Sequence, residues 1–129
     1  MTRPSLTIFL ALLAMLTLSA CATNQPRGEL PGAIHHEVFI KLINPADIDE
    51  LITDTRALGG LPGVIDWAVG QRADTGRSNV LTDFDVGLYL GFARESDYKA
   101  YIDHPIHQSF LDKWRPRFQT VQIRDFRSQ

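Results

Sequence analysis

The stretch from Phe84 to Phe92 constrains the fold of this chain more than any other. Phe84, Val86, Leu88, Leu90 and Phe92 alternate with Asp85, Gly87, Tyr89 and Gly91, a strict period of two. Side chains on a strand point to alternate faces, so this pattern predicts a strand with one wholly apolar face and one glycine-rich face. The apolar face needs a cover. The glycine-bearing face is open enough for another backbone or side chain to approach closely. A sheet of this kind takes helices on one side and a partner on the other.

The flanking sequence supplies both. His36 to Ile43 reads as a first strand, with Val38, Ile40 and Leu42 on one face. Asn44-Pro45-Ala46-Asp47 is a helix start, with an Asn cap, Pro at the first helical position and an acid at the third. Ile48, Leu51, Ile52, Thr55 and Leu58 keep a helical stripe until Gly59-Gly60 stops it. Leu61-Pro62-Gly63 turns into a second strand, Val64 to Gln71, with Ile65, Trp67 and Val69 on one face. Residues 73–83 form a polar loop before the strand at 84–92. A helix over 95–103 carries Tyr98 and Tyr101. His104-Pro105-Ile106-His107 leads into a further helix to about Arg115, and Pro116 ends it. Thr120 to Phe126 closes the domain as a fourth strand. The order β-α-β-β-α-(α)-β is an α+β domain of the ferredoxin-like arrangement.

Ahead of this domain lies a different kind of sequence. Met1-Thr2-Arg3 is a short basic start, and Leu6 to Leu18 is apolar apart from Thr7 and Thr17. A transmembrane helix needs about 20 apolar residues, whereas the core of a secretory signal needs only about 7–15 behind a positive charge. Leu18-Ser19-Ala20-Cys21 resembles the bacterial lipobox: small residues fit the peptidase cleft, and the cysteine supplies a thiol for acylation. Residues 1–20 are therefore expected to be a cleaved leader, with Cys21, the chain's single cysteine, as the lipidated residue. Residues 21–33, with two prolines and two glycines, read as a flexible tether, and the domain occupies 34–129. Ala22 is not the Asp that retains lipoproteins at an inner membrane. The expected location is the cell envelope, lipid-anchored to an outer membrane and facing the periplasm.

With Cys21 acylated, no thiol remains for a disulfide, and an exported domain of this size often gains stability by oligomerising. The formal charge of the whole chain is −2, and it lacks the basic patch of a nucleic-acid binder.

Several motifs together resemble the stress-responsive A/B barrel (Dabb) domain family. They are His36-x-Val38-x-x-Lys41-Leu42, Leu61-Pro62-Gly63-Val64 leading to Gly70, Phe84-Asp85 with Phe92, and Tyr101-x-x-His104-Pro105-x-His107. The resemblance covers about 34–126 and implies a dimeric α+β barrel, with the glycine-bearing sheet face in the homodimer and the apolar face under the helices. Arg94 stands where the family often has a capping Ser, so the second helix is expected to begin at about Ser96. Plant polyketide cyclases of the family hold their ligand between helices and sheet and use a Tyr and a His as an acid–base pair. By position these are Tyr101 and His107, and their first-strand His is His36. Their third-strand pocket His has no counterpart, the position being Val86. On this resemblance, Val38, Ile40, Trp67, Leu88, Leu90 and Phe110 wall the pocket.

The residues leave three readings open. One is a membrane-tethered, stress-related dimer that binds a small hydrophobic molecule. Another is an acid–base enzyme, cyclase-like or like a cofactor-free monooxygenase, using Tyr101 and His107. The last is a structural protein in which those two form a buried hydrogen-bonded pair. His104 reads as a residue that starts the next helix, and His35 as a surface residue. His104 and His107 at i, i+3 lack further ligands for a metal, and no cofactor is expected. Fold does not choose among these readings, because function lives in the site.

Overall fold

The computed structural model describes residues 30–129. The expected leader, the Cys21 lipidation site and most of the tether lie outside the described residues. Four strands, β1 (Ile34–Leu42), β2 (Val64–Gln71), β3 (Val86–Phe92) and β4 (Phe118–Arg127), form one antiparallel sheet in the order β2-β3-β1-β4. Three helices, α1 (Ile48–Gly59), α2 (Glu95–Ile102) and α3 (Pro105–Trp114), accompany it. This is a ferredoxin-like α+β fold, as the sequence pattern predicts.

The core lies between helices and sheet. Val38, Ile40 and Leu42 of β1 and Val86, Leu88, Leu90 and Phe92 of β3 are buried with Leu51 and Leu58 of α1, Tyr101 of α2 and Trp114 of α3. Two positions break the simple alternation. Asp85 donates its N–H to the Ile40 carbonyl, and its carboxylate accepts from Lys41 Nζ (2.6 Å) and Leu42 N (2.9 Å). The ladder ends there. Phe84 is thereby released from the apolar face and packs edge-on against Phe39 on the opposite one, with ring centroids 4.9 Å apart. In β2 the register shifts between Val64 and Asp66, leaving Ile65 as the extra residue of a bulge, 48% exposed.

The helix boundaries follow local chemistry. Asn44 caps as expected, accepting from Ala46 N, but the first turn, Pro45–Asp47, is a 3₁₀ helix that passes into α1. α1 stops at Gly59; the left-handed position is Gly63 (φ +87°), which turns the chain into β2. α2 begins at Glu95, earlier than the missing Ser cap suggests. Arg94 carries no side-chain cap bond and instead reaches forward to the Asp97 carboxylate (3.1 Å). Residues 30–33, the last of the presumed tether, are tied to the end of β4. Gly32 N donates to Ser128 O and Ser128 N to Ala33 O, both at 3.0 Å.

Candidate functional site

His36 sits on the helix-facing side of β1 and is buried. Its cross-strand partner in β4 is Asp125. The His36 Nδ1–H donates to Asp125 Oδ1 (2.6 Å), while the Tyr98 hydroxyl of α2 donates to Oδ2 (2.9 Å). A carboxylate only accepts, so this contact fixes a hydrogen on Nδ1 and leaves Nε2 out of the bond. Tyr98 is pushed up to about 12, first by desolvation and then by its bond to the Asp125 carboxylate.

Tyr101 lies in the last turn of α2, and His107 in the first turn of α3. On a continuous helix residues six apart lie about 600° around the axis and point away from each other. The break at His104-Pro105 removes that constraint. His104 caps α3 by accepting from Ile106 N (3.2 Å), and the Tyr101 and His107 rings come to 4.5 Å between centroids. They touch without forming the hydrogen-bonded pair of the structural reading. His107 Nδ1–H donates to the Ile102 carbonyl (2.9 Å), which also accepts from Gln108 Nε2 (2.7 Å). Burial holds His107 below its ordinary 6.5, partly opposed by the Ile102 bond, while charge at His36, Arg115 and His104 depresses it further. Neutral His107 thus keeps an Nε2 lone pair. The Tyr101 hydroxyl has no hydrogen-bond partner among the described residues, and burial raises its pKa.

These groups border a cavity of about 490 Å³ between α2, α3 and the sheet, lined by His36, Tyr98, His107, Gln108, Arg115 and apolar residues including Leu111, Phe118, Val121 and Ile123. A deeper lobe of about 60 Å³ shares His36 and His107 with it and adds Tyr101, Val38, Ile40, Leu88 and Phe110. Of the pocket wall drawn from the sequence, Trp67 and Leu90 line neither space. Leu90 is in the sealed core, and Trp67, 42% exposed on the outer strand, packs against Gly59 of α1. His35 is part of a network rather than a plain surface residue: Nδ1 is 2.9 Å from the Tyr89 hydroxyl and Nε2 2.7 Å from Ser128 Oγ.

Sequence reading missed Tyr98 and Asp125. The signal for Asp125 is present, because Val121, Ile123 and Asp125 alternate along β4, setting a carboxylate on a largely apolar face opposite His36. Chemically, the arrangement offers the His107 imidazole as an acceptor, the His36 imidazole and one unengaged phenol donor inside an apolar wall, the usual form of a small-molecule site. Among the described residues no cluster of three or more His, Cys, Asp or Glu could hold a metal, and no helix is long and apolar enough to cross a membrane.

Residues 34–128 match the family model described as the stress responsive A/B barrel domain. No curated protein matches the chain. Among solved structures, a Dabb family protein with a ferredoxin-like fold from Mesorhizobium loti is similar at 23% identity, with a TM-score of 0.65, over 76% of this chain and 98% of that one. A dimeric ferredoxin-like protein of unknown function from Thermobifida fusca is similar at 20% identity and a TM-score of 0.63, over 77% and 93%. The hydroxynitrile lyase of Passiflora edulis is similar at 17% identity and a TM-score of 0.67, over 77% and 95%.

Proposed function

Because this chain belongs to the stress-responsive A/B barrel domain family, we propose that it is a lipid-anchored homodimer of the cell envelope that binds a small, largely apolar molecule between α2, α3 and the sheet. The observation that carries the reading is the cavity of about 490 Å³, apolar for the most part, with His36, Tyr98 and His107 converging on it. Its volume falls within the range of about 300–1,000 Å³ typical of small-ligand sites. The lipobox-like Leu18-Ser19-Ala20-Cys21 supports the anchor, and Ala22 the outer-membrane, periplasm-facing location. The dimeric Thermobifida relative supports the homodimer. Native mass spectrometry of the full chain, extracted from membranes in mild detergent, tests all three parts. It is expected to report an acylated dimer with a co-purified small molecule, whereas an unacylated monomer with an empty cavity would sink the proposal.

A second reading has an observation of its own. The Tyr101 hydroxyl is unengaged and lies beside His107, whose Nε2 is a base at neutral pH. Such a pair can take a proton from one position of a bound molecule and give one to another. The likeness to the Passiflora lyase extends to the fold alone. If the pair is catalytic, Tyr101→Phe and His107→Gln remove turnover of the co-purified molecule while its affinity stays within about fivefold, or about 1 kcal/mol. Equal loss of turnover and affinity would assign the pair to binding.

A further inference from the structure

Arg115 follows α3 directly and lines the cavity while remaining exposed, which places it at the mouth. The basic side chains around it are neutralised. Lys113 pairs with Glu50 and Asp54, and Arg117 with Asp47 and Glu50. Arg115 has no such ion pair among the described residues. No Asp or Glu lines either the cavity or its deeper lobe. Asp125, the carboxylate behind the wall, has one oxygen on His36 and the other on Tyr98. The mouth therefore carries an uncompensated cation.

The interior has the opposite preference. His107 presents an Nε2 lone pair, which accepts a proton and disfavours an anion beside it, and the surfaces between it and the mouth are apolar. We propose, on the reading that the cavity binds a ligand at all, that the ligand is a small amphipathic carboxylate. Its carboxylate lies on the Arg115 guanidinium, its apolar body over Leu111, Phe118, Val121 and Ile123. The guanidinium fork suits a carboxylate bidentately. The charge already reaches the interior, since Arg115 is among the groups that depress His107.

The test is a calorimetric titration of the full chain in lipid nanodiscs, with empty nanodiscs as reference, against 4-phenylbutanoate and its uncharged counterpart 4-phenylbutan-1-ol. The carboxylate is expected to bind about fivefold tighter or more, the scale of a charge-assisted pair partly open to solvent. Arg115→Gln should erase that preference while leaving the alcohol's affinity unchanged, and Arg115→Lys should keep most of it. The Arg115 side chain makes no hydrogen bond or ion pair among the described residues, so these changes leave the fold intact. Equal affinities in the unaltered protein, or a preference that survives Arg115→Gln, would overturn the charge inference and leave the binding site standing. Binding of neither probe would overturn both.

Discussion

Asp125 holds two rings with one carboxylate, His36 on Oδ1 and Tyr98 on Oδ2. Asparagine replaces one acceptor oxygen with an NH2 donor and removes the charge, so Asp125→Asn loses two charge-assisted bonds and keeps both contacts only if the Tyr98 hydroxyl turns to accept. The side chain is 41% exposed, so water replaces part of what is lost, and the expected cost is about 1 kcal/mol in urea unfolding. Tyr98 gives a more specific readout. The carboxylate favours the neutral phenol, so its removal should lower the Tyr98 titration from about 12, while burial keeps it above 10. An unchanged phenolate absorbance titration would mean that the bond does not hold Tyr98. His107 makes a second prediction. Its folded pKa lies below the unfolded 6.5, so the unfolded chain binds more protons between the two values. The corresponding stability is present above pH 6.5 and is lost as pH falls through the folded pKa. Melting temperatures of the unaltered protein and His107→Gln, compared at pH 7.5 and 5, should show a shallower fall in the variant. The Ile102 carbonyl keeps its bond from Gln108 when His107 is replaced, so a loss of stability in His107→Ala reports the missing ring. Tyr101, His107 and His36 were singled out in the sequence by their resemblance to the family's Tyr…His-Pro-x-His element and first-strand His, and the proline break and the strand alternation account for their meeting at one space. The β4 alternation places Asp125 on the same face, but its role and that of Tyr98 depend on α2 lying over one end of β1 and β4.

Among the elements, α1 and β2 are locked by a glycine. Gly59 is the last residue of α1, and a methyl group there would overlap the Trp67 indole. Helix propensity alone favours Gly59→Ala by up to about 1 kcal/mol, but overpacking typically costs about 1–3 kcal/mol. The substitution should therefore destabilise and red-shift the Trp67 fluorescence, and it should become neutral or stabilising when Trp67 is already Ala. Destabilisation of equal size in both backgrounds would place the cost in the backbone. At α3 the His104 imidazole takes the place of a conventional cap. Its loss in His104→Ala should cost about 1 kcal/mol in urea unfolding, and His104→Asn should recover most of it; equal stability of all three proteins would remove His104 from the cap. The order of strands and helices was readable from periods of two and of three to four, and the cap at Asn44 from its neighbours. The Ile65 bulge and the escape of Phe84 were not. Both depend on where the ladder bonds end, which in β3 is decided by the bonds from Lys41 and Leu42 to Asp85.

For the whole molecule, the question is what meets the sheet face turned away from the helices. That face carries Phe39 and Glu37 of β1, Gly87 and Tyr89 of β3, and Ala68 and Gly70 of β2, as the register pairs them. Phe126 lies there too, stacked on His35 with centroids 4.6 Å apart and still 50% exposed. An apolar aromatic edge beside glycines suits the close approach of a second sheet, about 10 Å away. Gly87 is a clean probe of that approach. A Cβ added there would meet Phe84 and Phe39 at 3.7 and 3.8 Å, ordinary van der Waals contact within the subunit. The first atom of a larger side chain is thus accommodated by the isolated subunit, and the rest projects toward whatever covers the face. Gly87→Leu should accordingly weaken a dimer formed through this face by about tenfold or more, roughly 1–3 kcal/mol of overpacking. The measurement is sedimentation velocity across a dilution series of the full chain in mild detergent, with circular dichroism to verify the fold. A folded variant that dissociates at higher concentration than the unaltered protein places the partner on this face. Unchanged sedimentation and unchanged melting would instead move the dimer to another surface and leave the glycines as a feature of the single sheet.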